Sequence, residues 1–376
     1  MKKSFISASV ATVLAAASFG ALADGPSFYG RFDLMITNSQ NSDTLQGDTA
    51  GVTKGDSGTY LENNFSWLGV KGSEKIADGV DIVYQGEWGF ENTSNTGSST
   101  VFNSRNTFFG FKTAAGTAVF GRKDTVFKNS EGGIDLFGNT NADMDRMLQA
   151  QSRVADGVFY YSPKIADVLT LNANYQFDDN NATTSAGDGS SQYALSATLG
   201  DKGFKAQNYY AAAAYNKGIN GIDAYRVVGQ VKLEQFKVGG LYQKSESVLN
   251  SNLDGSTYLV NVAYNLNGVN LKAEYIYDDS GFGSYFSNAA GLTYVTVDSN
   301  GDQVTKSTTM KANNATTRAI SDVSVSNIIV GADYKVAKTT LLYGHYAHYE
   351  GDYKLAGSKI DLNDDNVVSV GVRYDF

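Results

Sequence analysis

Along most of the chain, apolar and polar residues alternate with period two, the spacing that puts successive side chains on opposite faces of a strand. The final residues show the rule. Val368, Val370, Val372, Tyr374 and Phe376 share one parity, and Ser369, Gly371, Arg373 and Asp375 share the other. Leu169–Phe177 repeats it, with Leu169, Leu171, Ala173, Tyr175 and Phe177 set against Thr170, Asn172, Asn174 and Gln176. Val269–Tyr277 places Asn270, Lys272 and Glu274 on its polar face, and Tyr258–Leu266 groups Tyr258, Val260, Val262, Tyr264 and Leu266. The pattern predicts an all-β chain of sixteen strands, each roughly 7–14 residues long.

A soluble sandwich also alternates, so the connections have to decide between architectures. Seven predicted connections are short: Ala77–Gly79, Ala114–Gly116, Ile165–Val168, Asp201–Gly203, Glu234–Gln235, Asn267–Gly268 and Lys335–Lys338. The eight between them are mostly longer and polar: Ser39–Thr59, Asn92–Thr100, Lys123–Val154, Asp178–Ser190, Lys217–Ile222, Val248–Gly255, Asp278–Ser324 and Gly351–Asp365. Strict alternation of short and long gathers the long loops at one end, as in a 16-stranded antiparallel transmembrane β-barrel. Strands of this length are near the roughly 9–11 residues a tilted strand needs to cross a bilayer. In hydrocarbon every backbone N–H and C=O must be paired, so a spanning sheet has to close on itself. Sixteen strands enclose more space than side chains fill, and residues such as Asn172, Asn174, Lys272 and Glu274 would line water.

Composition supports this reading. The chain holds 24 Tyr, 20 Phe and 40 Gly but only two prolines, Pro26 and Pro163. Aromatics favour strands, and proline removes a ladder donor. Phe28, Tyr84, Trp88, Tyr175, Phe177, Tyr275, Tyr277, Tyr374 and Phe376 near strand ends fit interfacial girdles. The start reads as an export signal: Lys2 and Lys3, an apolar run from Phe5 to Leu22, then Ala21 and Ala23 as an A-x-A cleavage site. A cleaved signal peptide over residues 1–23 leaves a barrel domain over 24–376. Loss of the two lysines leaves 28 basic against 39 acidic residues, a net charge of −11. So acidic a chain offers no basic surface for nucleic acid. There is no cysteine, so disulfides do not hold this exported chain together.

Short motifs then point to a family. Phe28-Tyr29-Gly30-Arg31-Phe32-Asp33 looks like the first strand of the Gram-negative general (trimeric) porins, and Leu68-Gly69-Val70-Lys71-Gly72 like their second. Phe120-Gly121-Arg122-Lys123-Asp124-Thr125 resembles the approach to their third loop, and Tyr160-Tyr161-Ser162-Pro163 the strand after it. The terminal Tyr374-Asp375-Phe376 is similar to the aromatic ending that the barrel assembly machinery reads. The resemblance covers essentially the whole mature chain. It implies a homotrimer in the outer membrane, in contact with lipid and lipopolysaccharide, whose third loop, here Lys123–Val154, folds into the lumen as a constriction. In such porins acidic loop residues face a basic wall. The loop carries Glu131, Asp135, Asp143 and Asp145, and the matching wall positions are Arg31, Arg105 and Arg153, with Arg122 near the loop. The second strand's basic position is Trp67, a departure for which Lys71, of the same parity, is a partial substitute.

The expected activity is passive diffusion of small hydrophilic solutes and ions, with weak cation preference and no cofactor, metal or catalytic group. A substrate-selective channel for sugars or oligopeptides is the alternative, hinted at by Trp67; an enzyme or adhesin barrel ranks behind both. His345 and His348 are the only histidines. Their parity on Thr339–Glu350 puts His345 with Leu341, Tyr343 and Ala347, so that only His348 is expected to face the lumen. Asp298-Ser299-Asn300-Gly301-Asp302 has the look of half a calcium loop but lacks its closing Glu. Leu292–Val297 and Gln303–Thr309 flank it as a predicted β-hairpin. Asp361, Asp364 and Asp365 are expected in outer loops, where they could hold divalent cations beside lipopolysaccharide.

Overall fold

The computed structural model describes residues 25–45, 54–90, 102–177, 191–297, 303–307, 310 and 315–376. Residues 1–23, the loops predicted at Asn92–Thr100 and Asp178–Ser190, and the calcium-like turn Asp298–Asp302 lie outside them. The described chain is a closed antiparallel barrel of sixteen strands. In order these are β1 (Ser27–Ser39), β2 (Gly58–Asn63 continued by Trp67–Ala77), β3 (Val80–Phe90), β4 (Phe102–Thr113), β5 (Gly116–Asp124), β6 (Arg153–Tyr161), β7 (Leu169–Gln176) and β8 (Gln192–Gly200). The circuit continues with β9 (Tyr209–Lys217), β10 (Ile222–Leu233), β11 (Phe236–Ser247), β12 (Asn250–Leu266), β13 (Val269–Asp278), β14 (Ile320–Lys335), β15 (Thr340–Leu355) and β16 (Ser358–Asp361 continued by Asp365–Asp375). Each strand pairs with its sequence neighbours. The ring closes where β1 pairs with β16, Arg31 opposite Asp375 through Ser39 opposite Val367.

At this seam the last residue meets the first strand. Gly30 N–H donates to the Phe376 carbonyl at 2.9 Å, and Phe376 N–H returns the bond to Gly30 at 3.0 Å. The Phe376 ring lies over Gly30, where a Cβ would come within 2.3 Å of it. Among the described residues no helix is long and apolar enough to cross a membrane; the strands do so instead. Their parity is as the alternation predicts. Val370 is 67% exposed on the outer surface while Ser369 beside it is 1% exposed. Phe28, Trp88, Phe177, Tyr275, Tyr374 and Phe376 are exposed outside with them.

The long-loop end departs from expectation at two hairpins. The sixth and eighth connections, expected at Val248–Gly255 and Gly351–Asp365, are largely strand: β12 begins at Asn250, β15 runs to Leu355 and β16 resumes at Ser358. Polar residues outside the apolar belt still pair in a ladder, because ladder hydrogen bonds need only backbone. Loop 7, between β13 and β14, contains the expected hairpin, Thr293–Val297 against Gln303–Ser307. Its first part folds inward instead: Phe282, Tyr285, Phe286 and Leu292 are buried around a short helix, Ser284–Ala289. Asp365 is also turned in. It is fully buried and accepts from Ser39 Oγ at 2.7 Å and from the N–H groups of Asn41 and Asp43 at 3.0 Å each, which removes it from the proposed outer cation sites. The carboxylate is short enough to cap the chain just after β1 from inside, and four donors favour that position over solvent.

The inner wall is half apolar. Tyr210, Val228, Leu241, Leu259, Ile276, Ile329, Tyr349 and Val367 of β9 to β16 point inward and are buried under loops 3 and 7. The two loops also meet each other. A Cβ on Gly283 would stand 2.4 Å from the Arg146 carbonyl and 2.5 Å from that of Met147. Gly283→Val should therefore force the loops apart at a cost of about 1–3 kcal/mol, read as loss of the compact gel mobility of the folded barrel at lower temperature. Unchanged heat-modified mobility would contradict this packing.

Candidate functional site

Loop 3 joins β5 to β6 and crosses the barrel interior. Two local caps shape it. Thr125 Oγ1 accepts from Lys128 N–H at 3.1 Å and starts a one-turn helix, Val126–Asn129. Asp143 accepts from Asp145 N–H at 2.8 Å and starts the 3₁₀ turn Met144–Arg146. Short polar side chains at such positions satisfy N–H groups that the helix leaves unpaired. Between the caps, apolar side chains hold the loop to the wall. Ile134 and Phe137 rest on wall positions that lack side chains: a Cβ on Gly239 would lie 2.4 Å from Ile134, and one on Gly331 2.8 Å from Phe137.

Polar wall residues complete the attachment, strand after strand. Asn174 of β7 accepts from Val126 N–H at 2.8 Å. Tyr210 of β9 donates to the Ser130 carbonyl at 3.0 Å, and Arg226 of β10 lies over the Phe127 ring at 4.3 Å. Gln230 exchanges two bonds with Gly133, at 3.1 and 2.8 Å. Asn261 donates to the Ile134 carbonyl, and Lys272 donates to that of Leu136 at 2.7 Å. Of the inward polar residues expected to line water, Asn174 thus serves as a loop anchor, and Lys272 anchors the loop while also facing the cavity. Glu274 is buried and accepts from Asn261 at 3.1 Å.

The strongest attachment is at Asn141. The two N–H groups of its side-chain amide are shared among Glu62 Oε1 at 2.7 Å and the hydroxyls of Thr37 and Ser369 at 3.0 Å each. Its Oδ1 accepts from His345 Nε2 at 2.7 Å, a partner that requires the proton on that nitrogen, and its backbone carbonyl accepts from Tyr349 at 2.9 Å. His345 therefore faces the interior, while His348 is on the outer parity beside the exposed Tyr346. This reverses the expectation for the two histidines. The inward face of β15 is Leu341, Tyr343, His345, Ala347 and Tyr349, of which His345 and Tyr349 meet loop 3 and Leu341 and Tyr343 line the cavity beside it, so an apolar majority there did not mark the lipid side.

Between loop 3 and the wall it faces is a cavity of about 530 Å³. Glu131, Asp135, Asp143 and Asp145 all line it, as do Arg105 and Arg153. Arg31, Lys71 and Arg122 do not. Arg31 pairs with Asp375 at 2.7 Å, Lys71 lies over the Tyr29 ring at 4.6 Å, and Arg122 lines a separate cavity with Gln176 and Gln192. Trp67 stands on the inner wall between two guanidiniums, its ring 5.6 Å from Arg31 and 5.9 Å from Arg105. At those distances the ring quadrupole attracts both cations and separates their like charges. The cavity also takes in Asp33, Asp124, Lys128, Lys272, Asp333, Lys335 and Arg373. Alternation put Lys272 and Arg373 on inward faces; nothing in the local pattern singled out Lys128.

The charges are mostly matched. Arg105 pairs with Glu87 at 2.6 Å, Arg153 with Asp124 at 3.0 Å, and Lys272 with Asp333 at 3.1 Å. On the loop, Asp145 pairs with Arg146 at 2.8 Å and Glu131 accepts from Gln151. Among the described residues Asp135 and Asp143 have only backbone donors: Phe137 N–H at 3.0 Å for the first, Asn139 N–H at 2.6 Å and Asp145 N–H at 2.8 Å for the second. Although both carboxylates touch the cavity, protein surrounds them, and that desolvation raises their pKa values first. Neighbouring Asp145 adds to the effect on Asp143, which is pushed up to about 7, while Asp143 and Glu274 hold Asp135 well above the usual carboxylate range. Burial likewise raises Glu131. The attachment at Asn141 is open to direct test. Asn141→Ala should leave the buried Glu62 short of a donor, cost roughly 1–3 kcal/mol, and increase open-channel current noise as the loop tip works loose. Noise and thermal stability equal to wild type would show that the tip is held elsewhere.

A family model for Gram-negative porins matches residues 10–354. A major outer membrane protein P.IB of Neisseria sicca is 27% identical over 184 residues, 48% of each chain. One from Neisseria meningitidis is 26% identical over 246 residues, 63% of this chain and 64% of the other. The chain thus spans about half the length of the first relative and under two thirds of the second. Among solved structures, an anion-selective porin from Comamonas acidovorans superposes with a TM-score of 0.63 at 16% identity, over 94% of this chain and 100% of the other. That likeness is one of fold. The barrel, its inward third loop and the family match together place this chain in the Gram-negative porin family, as a β-barrel of the outer membrane.

Proposed function

We propose that this porin is a water-filled channel for passive diffusion of small hydrophilic solutes and ions, active as a homotrimer and weakly cation-preferring at alkaline pH. One observation carries the reading. The cavity beside loop 3 has carboxylates Glu131, Asp135, Asp143 and Asp145 on the loop and the ion-paired cations Arg105 and Arg153 in its lining. Its lining holds seven carboxylates in all and six Lys or Arg, a near balance that favours weak selectivity. Charges fixed around a narrow aqueous gap set ion preference and let polar solutes align, while apolar ones lose hydration without return. Relatives named as outer membrane proteins and a similar fold solved as a trimer in Vibrio cholerae support membrane placement and assembly. The family and the fold point to a channel rather than an enzyme.

The rival reading is anion preference. It is favoured by Lys202, Lys232 and Lys237, which line a second cavity on the short-turn side of loop 3 with only Asp135, Glu234 and Asp333 as carboxylates. Reversal potentials in a salt gradient separate the two, and pH sharpens the test. Asp143 is faced by Asp145, Arg146, Asp135 and Glu274. Because its pKa is raised to about 7, its negative charge is present at pH 8 and lost as pH falls through that value. Cation preference should be measurable at pH 8 and shrink toward zero or reverse by pH 5, with Asp143→Asn flattening the change between them. Anion preference already at pH 8 would overturn the assignment.

A further inference from the structure

The first limb of loop 3 does more than narrow the lumen. Between it and the inner faces of β3 to β9, toward the short turns, is a second niche of about 610 Å³. It is separate from the constriction cavity, with which it shares no lining residue. Its apolar part is built from Val83, Phe108, Val119 and Val126. Over this part projects Lys123, whose ammonium lies 4.4 Å from the Phe108 ring centroid and 5.7 Å from that of Tyr161.

Three features give the niche its chemistry. First, among the described residues Lys123 has no carboxylate within ion-pair distance, and neither do Lys164 and Lys202, which share the lining. Asp201, the one carboxylate of the lining, is occupied by the N–H groups of Gly203, Lys205 and Ala206 at 2.8 Å each. The neighbouring Asp124 is held by Arg153 at 3.0 Å and Asn106 at 3.0 Å. Second, among the described residues the Tyr161 hydroxyl is buried with no hydrogen-bond partner, although a buried phenol normally finds one. Third, the polar wall opposite is self-satisfied: Thr170 bonds Thr198 at 2.5 Å and Asn172 bonds Ser196 at 3.1 Å.

We propose that this niche binds aromatic carboxylates. A flat apolar body would lie on Phe108 and the valines, and its carboxylate would meet the Lys123 ammonium and the idle Tyr161 hydroxyl. Lys164 and Lys202 add positive charge that draws the anion in. A sugar is a poor fit, because the hydroxyl and amide groups it needs are already bonded to one another. An inorganic anion would leave the apolar part uncovered. The volume is within the range of small-molecule pockets, about 300–1,000 Å³.

Equilibrium binding to the folded full-length protein tests this without reference to conduction, so a barrel that failed to pass ions could still show the site. The probes are benzoate, acetate, benzyl alcohol and a methyl glucoside, followed by calorimetry or dialysis. Benzoate should bind saturably and roughly tenfold more tightly than acetate or benzyl alcohol. Lys123→Gln should lose roughly tenfold for benzoate, as expected when a charge-assisted bond is removed, and Lys123→Arg should keep most of the affinity. If Lys123→Gln does not fold, Tyr161→Phe, which removes only the unpartnered oxygen, should weaken benzoate about threefold. Wild-type protein that binds benzoate no better than acetate and benzyl alcohol overturns the proposal. So does a folded Lys123→Gln protein, or in its absence Tyr161→Phe, with undiminished benzoate affinity.

Discussion

A backbone amide in hydrocarbon has no water to fall back on, and a sheet edge left open there would carry a row of unpaired donors and acceptors. The pairing of β1 with β16 removes that edge. The outward parity of Val368 to Phe376 follows from it, since only a closed ring has an outside that is wholly lipid. So does the enclosed volume, which is too wide for wall side chains to fill. Gly30 matters here because the absence of a side chain lets the Phe376 ring cover the seam.

Closure leaves an interior that has to be furnished, and the chain does this unevenly. From β9 to β16 buried apolar residues and polar anchors together carry loops 3 and 7; from β3 to β8 the wall borders a more open niche. Loop 3 can therefore be held like part of a core, by Phe127, Ile134, Phe137, Met144, Met147 and Leu148, all buried. A polar loop lying in water would have no such attachment. Its acidic residues are presented by a rigid support, and their desolvation is a result of that support.

Much of this was legible in the chain because two periodicities coincide. Period-two alternation gives the strands, and alternating connection length gives the topology. The outward faces of β7, β12, β13 and β16 could be read residue by residue. Reading failed where an inward face had a reason to be apolar. On β15, Ala347 and Tyr349 are buried inside the barrel against inward-folded loops while Leu341 and Tyr343 line the cavity, and sequence alternation cannot tell such an inward face from a lipid-covered one. The placement of His345 went wrong for that reason. The hairpins at Asn250 and Leu355 were hidden differently: beyond the membrane a strand needs no apolar face, so its polar sequence looks like loop. The four loop acids could be named from the family resemblance, but their partners could not. The attachments of Asn141 to Thr37, Glu62 and Ser369 join residues 104, 79 and 228 positions apart, and no local pattern encodes them.

The chain has two tryptophans, and the wall places them in different solvents. Trp88 is 41% exposed on the outer surface, while Trp67 lies against two guanidiniums on the inner one. Intrinsic fluorescence therefore carries two separable signals: one indole accessible to quenchers dissolved in lipid, the other to quenchers dissolved in the aqueous pore. Insertion into a bilayer and opening of the lumen to water can be followed independently in the same unlabelled molecule.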